Sequence, residues 1–268
     1  MKRFIALVGT ILAVCALAGA QEFAGNRVVV PGRNGAHARI VEANVINGSV
    51  VVRTGSGNDI IVETAGARGR SSSDSRAPQG MHRIDVPWNA PLQVEESGDT
   101  VHVNVSPRAD GDTITMTVPA NTSLKLNLTH GSINVEGVHG EIDAESTHGD
   151  INLNNVSGTV VANTVHGSLK ASMSQVDPSK PLSFTTMNGD IDVALPADLK
   201  ANVKLRALRG EIWSDFDMKL TGSSPSTRRV GNGRMQIMMD KTMNGTINGG
   251  GVDATFYTVN GKITIRKK

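Results

Sequence analysis

The stretch GSINVEGVH GEIDAESTH GDINLNNVS GTVVANTVH GSLKASMSQ, residues 131–175, repeats every nine residues. Each unit opens with glycine, and apolar residues follow two and four positions later. Two apolar positions separated by one polar position are typical of a β-strand with one buried face. We expect the first apolar position of each unit to be buried and the residue before it to be exposed. These apolar residues are Ile133, Ile142, Ile151, Val160 and Leu169.

The spacing of the glycines predicts how the strands are stacked. A strand and a tight turn in every unit, without hairpin signals, are typical of coils that stack in parallel about 4.8 Å apart. Every second glycine falls at Gly131, Gly149, Gly167, Gly189 and Gly210, so the successive steps are eighteen, eighteen, twenty-two and twenty-one. The sequence therefore predicts an all-β, parallel β-solenoid (β-helix- or β-roll-like) with about 18–22 residues per coil. Two or three strands per coil, and either handedness, remain open.

The composition agrees with a turn-rich β-protein and excludes some partners. Glycine accounts for 29 of the 268 residues, whereas aromatic residues make up only 3%. So few aromatic residues argue against a surface that stacks nucleic-acid bases. Lys2 and Arg3 belong to the N-terminal segment described next, so without it 27 − 2 = 25 basic residues balance 25 acidic ones. We therefore expect no nucleic-acid partner, because a neutral chain has no field that attracts a polyanion.

The N-terminus reads as an export signal. In residues 1–20, two basic residues precede an apolar core, and Ala18-Gly19-Ala20 offers a small-residue cleavage site before Gln21. Cleavage would remove Cys15, the only cysteine; an uncleaved anchor or a lipid-modified Cys15 are the alternatives. We predict a signal peptide over 1–20 and one β-solenoid domain over 21–268, with loop insertions near 65–80 and 223–233. No transmembrane segment is expected after cleavage.

Four further stretches give the chain a family resemblance. They are VINGSVVVRTGSGNDIIVE (45–63), Val-Pro-Ala (118–120) before the repeats, MNGDIDVALPADLKANVKL (187–205) after them, and TVNGKITI (258–265). Together with the repeats, they resemble the bacterial "putative adhesin" family, an exported β-strand-repeat domain of unknown function. The resemblance covers nearly all of 28–268. It implies a β-solenoid-like protein of the cell envelope without an established enzymatic activity, and it carries no catalytic residues.

Histidines form the most unusual polar pattern. His130, His148 and His166 each precede a repeat glycine and are eighteen residues apart. An eighteen-residue coil would stack all three on one edge, whereas a twenty-seven-residue coil would align only His139 with His166. Stacked imidazoles could bind zinc or copper, since imidazole is a common ligand of both metals. The alternative is that these side chains only hydrogen-bond the turns.

Two other patterns suggest sites more weakly. The segment Gly55–Ile61 resembles one calcium-binding nonapeptide, but one unit cannot enclose an ion and the repeats lack its aspartate. The pairs Asp190/Asp192 and Asp215/Asp217, with Arg206 and Arg209 between them, contain the residue types of a β-helix polysaccharide lyase. Both patterns also occur on ordinary solvated strands.

The sequence thus predicts a non-enzymatic, exported protein, periplasmic or at the cell surface. It would be an adhesin or scaffold that presents an extended polar solenoid face to an envelope protein or a polysaccharide. We expect no cofactor. Two alternatives stay open: a metal-binding module that uses His130, His148 and His166, and a polysaccharide-cleaving enzyme.

Overall fold

A computed structural model describes residues 23–24, 27–32, 38–65, 92–105, 113–221, 226–230, 234–238 and 242–268. Within these ranges the chain forms strands and turns and no helix. The predicted signal peptide and most of both predicted loop insertions lie outside the described residues. In chain order the strands are Phe23–Ala24 (β1), Arg27–Val30 (β2), Ile40–Asn47 (β3), Ser49–Thr54 (β4), Ile60–Ala65 (β5), Leu92–Ser97 (β6), Thr100–Val105 (β7), Thr113–Val118 (β8), Ser123–His130 (β9), Ile133–Glu136 (β10), Glu141–His148 (β11), Ile151–His166 (β12), Leu169–Val176 (β13), Leu182–Asn188 (β14), Ile191–Leu195 (β15), Ala201–Arg209 (β16), Ile212–Ser214 (β17), Met218–Thr221 (β18), Ser226–Val230 (β19), Arg234–Met238 (β20), Met243–Ile247 (β21), Val252–Asn260 (β22) and Ile263–Lys267 (β23).

Apart from β19 and β20, which pair only with each other, the strands form two layers that enclose one core. Sheet one has the parallel order β7-β3-β9-β11-β12-β14-β22-β16, with antiparallel β6 on one edge and β21 and β18 on the other. Sheet two has the parallel order β8-β4-β10-β12-β13-β15-β23-β17, with antiparallel β5, β2 and β1 beyond β8. Because β12 belongs to both sheets, the pairing is continuous from one to the other. The predicted all-β class is confirmed, and most pairings are parallel.

The central strands follow the predicted coil length. Ile133 pairs with Ile151 and Ile142 with Val160, in each case eighteen residues along the chain. Each central coil places one strand in sheet one and the next in sheet two. Successive nine-residue units therefore belong to opposite sheets, and the true repeat is the pair of units.

The order of coils departs from the chain order at both ends. The sequence places Gly210 beside Gly189, but Gly261 lies between them, because β22 and β23 insert between the β14–β15 coil and the β16–β17 coil. At the opposite end, β3 and β4 lie between the β7–β8 coil and the β9–β10 coil. A count of glycine spacings cannot reveal such insertions, because an inserted coil leaves the local spacing unchanged.

The core is built from the predicted apolar positions. All five first apolar residues of the units are fully buried: Ile133, Ile142, Ile151, Val160 and Leu169. The preceding residue is exposed, as predicted, at Glu141 and Asp150, but it is half-buried at Ser132 and Ser168. The prediction is wrong at Thr159, which is 4% exposed. Thr159 lies where β12 passes from sheet two to sheet one: Gly158 still pairs with Val176 of β13, and Thr159 already pairs with Glu141 of β11.

Glycines, and in three coils threonines, fix the corner that follows the strand of sheet one. A Cβ at Gly149, where φ is +152°, would lie 2.6 Å from the carbonyl carbon of Gly131 in the adjacent coil, so only glycine fits. Next to this corner, the buried hydroxyls of Thr164, Thr186 and Thr258 donate to glycine carbonyls of a neighbouring coil at 3.0–3.1 Å. These bonds satisfy carbonyls at the point where the chain leaves the sheet.

Candidate binding surfaces

The histidines lie in a file of polar side chains along the corner between the two sheets. Parallel pairing brings together the residue just before each corner glycine. In stacking order these residues are Asn47, His130, His148, His166, Asn188, Asn260 and Arg209. The coil length thus aligns the three histidines, as the eighteen-residue geometry predicts.

The three imidazoles stack face to face. The ring centroids of His130 and His148 are 4.9 Å apart, and so are those of His148 and His166, with interplanar angles of 4° and 2°. All three side chains are exposed. Beyond them the file continues as an amide ladder, in which Asn260 Nδ2 donates to Asn188 Oδ1 at 2.7 Å.

This stacking constrains how the file could bind a metal ion. A metal ion lies close to the plane of an imidazole that ligates it, and these parallel rings, with centroids 4.9 Å apart, lie in separate planes. Two nitrogens on one zinc ion can be at most about 4.2 Å apart, twice the ~2.1 Å zinc–nitrogen distance. Shared ligation therefore requires at least one ring to rotate out of the stack. Among the described residues, no group of three or more His, Cys, Asp or Glu side chains is arranged to hold a metal ion.

A groove of about 610 Å³ lies on the outer face of sheet one, beside the histidine corner. It crosses five neighbouring strands, β3, β9, β11, β12 and β14. One file of outward side chains along it consists of Asn44, Asn127, Glu145, Asn163 and Thr185. A second file, nearer the corner, consists of Thr129, Thr147, Val165 and Met187.

The groove and its margin carry negative charge. Glu145 is the one charged residue among the described residues that line it. Asp143, two residues earlier on the same face of β11, has a raised pKa, caused first by burial and then by the carboxylates of Glu145 and Glu141. Lys125 on β9 opposes this shift only in part. The arrangement disfavours a further negative charge, so it suits an uncharged ligand better than an anionic one.

The sequence predicted a polar face but not this groove. Asn127, Glu145 and Asn163 are eighteen residues apart, so their alignment could have been read once the coil length was fixed. The contribution of Asn44 could not have been read from the sequence. Asn44 on β3 pairs with Asn127 on β9, which is far away along the chain.

The weaker candidate sites are not assembled. Asp59 of the calcium-like segment accepts a hydrogen bond from the Gly32 amide at 2.7 Å, as a turn residue does. Asp192 pairs with Arg266 on sheet two, whereas Arg206 stacks on Tyr257 on sheet one, at 5.5 Å. The structure therefore places Asp192 and Arg206 on different sheets.

Comparison with known families agrees with the resemblance seen in the sequence. Residues 89–249, more than half of the chain, match the family described as Toastrack DUF4097. The chain belongs to the Toastrack DUF4097 family. The match includes β6–β21, and therefore four of the five strands that line the groove. The inserted strands β22 and β23 follow the matched part of this Toastrack chain.

Two solved structures are similar to the Toastrack chain. One is described as a putative cell adhesion protein from Clostridium sporogenes, with 12% identity, a TM-score of 0.44, and coverage of 90% of this chain and 99% of that one. The other is described as a putative adhesin from Bacteroides fragilis, with 11% identity, a TM-score of 0.29, and coverage of 90% and 96%. No curated protein matches the sequence. Within the described residues, no helix has the length and apolarity needed to span a bilayer.

Proposed function

We propose that this Toastrack chain is a non-enzymatic protein exported to the cell envelope or surface, where it acts as an adhesin or scaffold. Its parallel coils form a β-solenoid that presents an extended polar face to a polymer or protein partner. The groove on sheet one carries this proposal, because it repeats amide and hydroxyl groups over five successive strands. Such a repeating, shallow surface suits an extended partner better than a small molecule.

Export is proposed from the N-terminal sequence. Residues 1–20 would be removed as a signal peptide, and residues 21–268 would form the mature domain. N-terminal sequencing of the protein recovered outside the cytoplasm should begin at Gln21. An Ala18→Arg/Ala20→Arg variant should remain uncleaved, because the processing site needs small residues. A lipid-modified Cys15, or protein confined to the cytoplasm, would contradict this part of the proposal.

Binding is tested with the mature chain and isolated cell envelopes. Co-sedimentation should be lost in Thr147→Arg/Asn163→Arg, which places two long cations in the groove. The control is Asn154→Arg, at an exposed position on sheet two. If both variants and the unmodified chain sediment equally, the groove is not the binding face. If none sediments, the proposed envelope function is wrong.

The histidine file supports a second candidate, a metal-binding module. The observation in its favour is the alignment of His130, His148 and His166 at 4.9 Å intervals. Protein purified without chelator should then contain nearly equimolar zinc or copper, and a folded His148→Ala variant should contain none. Metal-free protein whose thermal stability does not change on zinc addition would exclude this function and leave the histidines as turn residues.

A further inference from the structure

The groove on sheet one has a repeat that restricts what can lie in it. Its five strands are adjacent in one sheet, so their side chains recur about every 4.8 Å along the stack. Over four such steps the groove offers about 19 Å of contact. We propose that it binds an uncharged linear polysaccharide laid along the stack, with about one sugar residue per coil. This inference rests on the proposed function and names the class of partner.

The hydrogen-bonding groups of the groove are available to a ligand. Among the outward residues of the groove that the structure describes, only Asn44 and Asn127 use their side chains on each other, through Asn127 Nδ2 and Asn44 Oδ1 at 3.0 Å. The side chains of Asn163, Thr147 and Thr185 make no hydrogen bond to the rest of the described chain. Neutral amides and hydroxyls that both donate and accept are suited to the hydroxyl groups of a sugar.

Charge distinguishes between classes of polysaccharide. Within the described part of the chain, no lysine, arginine or histidine lines the groove, and its one ionisable residue is Glu145. The carboxylate of Asp143 stands next to Glu145 on the same face and adds to the negative field. Lys125 on β9 lies beside Asp143 and offsets its charge only in part. An anionic polymer would therefore be repelled by Glu145 with no cation among the described lining residues, whereas a neutral polymer would not be repelled.

The corner side of the groove supplies an apolar patch. Val165 and Met187 lie on adjacent strands there, and Met187 is 47% exposed. Apolar side chains beside unpaired amides match the C–H faces and hydroxyl rims of a pyranose ring. An exposed methionine also gains free energy when a ligand covers it.

An extended peptide fits these features less well. Its side chains on one face repeat every ~6.7 Å, two residues apart, and fall out of register with strands ~4.8 Å apart. Its backbone would also find no partners, because the amides and carbonyls under the groove are paired within sheet one. Peptides that bind sheets by backbone pairing do so at an edge, not on a face.

The test uses the mature chain and defined oligosaccharides in isothermal titration calorimetry. The uncharged probes are cellohexaose, chitohexaose and a dextran oligomer, and hexagalacturonate is the anionic probe. We expect at least one uncharged hexamer to bind, with affinity that rises from dimer to hexamer. Asn163→Ala/Thr147→Val should weaken this binding at least tenfold, whereas Asn154→Ala on sheet two should change it less than twofold. Glu145→Gln should lower the ratio of the affinity for the uncharged hexamer to the affinity for hexagalacturonate.

The outcomes separate this inference from the function on which it rests. If no uncharged oligomer binds, or hexagalacturonate binds best, the inference is overturned. The same holds if Asn154→Ala weakens binding as much as the groove variant does. Envelope sedimentation that still depends on the groove would then leave the proposed function intact with a different partner, such as a protein. If the mature chain binds neither the oligosaccharides nor the envelope, the proposed function itself is wrong.

Discussion

The centre of the stack and its two ends share the corner glycine but find their neighbouring coils differently. Between 123 and 195, neighbouring strands are separated by eighteen or twenty-two residues, and each coil packs on the coil before it. At the ends, β3 pairs with β9 and β14 pairs with β22, each across several intervening strands of the chain. The corner glycine and threonine are nevertheless present in the centre, at Gly149 and Thr186, and in the inserted coil, at Gly261 and Thr258. At the other end, β3 has Val45 at the threonine position.

The strand register is therefore set in different ways in the two regions. In the centre, chain connectivity brings the right strands together and the corner contacts refine the alignment. At the ends, the neighbouring coil is not the next one along the chain. Side-chain packing and the corner contacts must therefore determine which coils pair, after a long loop of chain has been closed. Long closures cost entropy before they gain contacts, so we expect the ends to form last.

The largest expected effect comes from deleting one coil in each region. Removal of 149–166 joins His148 to Gly167 and restores a His-Gly corner, so the stack should fold with one coil fewer. Removal of 252–268 leaves the β14–β15 and β16–β17 coils, which do not pair with each other in the intact protein, without their common neighbour, and should abolish cooperative folding. Thermal unfolding followed by circular dichroism, with size-exclusion chromatography, compares the two. Equal tolerance of both deletions would show that the inserted coil is dispensable.

A smaller effect is expected at the corner glycines. Gly149→Ala and Gly261→Ala should each destabilise by about 3 kcal/mol, because a Cβ would collide with the carbonyl of the adjacent coil's glycine and φ is positive at both sites. Gly57→Ala is the control, because its nearest neighbouring atom would be 3.9 Å away. Chemical denaturation measures the free energy of unfolding of the three variants. A much larger loss at Gly261 would mean that the inserted coil depends on this contact more than the centre does.

The buried threonine hydroxyls should contribute less. Thr186→Val and Thr258→Val each remove a donor to a glycine carbonyl, and each should cost about 1–2 kcal/mol, measured by the same denaturation. The neighbour Thr185 points outward, so Thr185→Val should be close to neutral. Equal costs at 186 and 258 would show that the same bond stabilises both regions. A neutral Thr186→Val would show that the carbonyl finds another partner.

The smallest effect concerns Asp143, in the central region. Burial raises its pKa above the usual 3.8, so the folded state holds this proton more tightly than the unfolded chain. Stability therefore falls as pH rises from 3.8 through the raised pKa, and the cost is complete above it. Asp143→Asn should stabilise by a fraction of a kcal/mol at neutral pH, because the half-buried carboxylate is still partly screened by solvent. Denaturation at several pH values should show the gain disappear below pH 3.8; a gain that persists there would contradict the charge explanation.

The same contrast explains what could be predicted from the sequence. Local periodicity was sufficient for the buried positions at Ile133 to Leu169 and for the alignment of the histidines, because both depend on neighbouring coils. It placed Gly210 wrongly, because the true neighbour, Gly261, comes from a later part of the chain and leaves no mark on local spacing. The groove was missed for a related reason: it depends on which outward side chains align over five strands, and one of these strands is brought in from residues 40–47.

The position of the terminal coil also has a consequence for how such proteins can change in length. Because β22–β23 lies between other coils, and antiparallel strands cover both edges of sheet one, repeats added after residue 268 could not continue the stack. Duplication of an eighteen-residue unit within 131–176 would instead add one step to the groove and leave both ends intact. The copy number of the central repeat would therefore set the length of the groove.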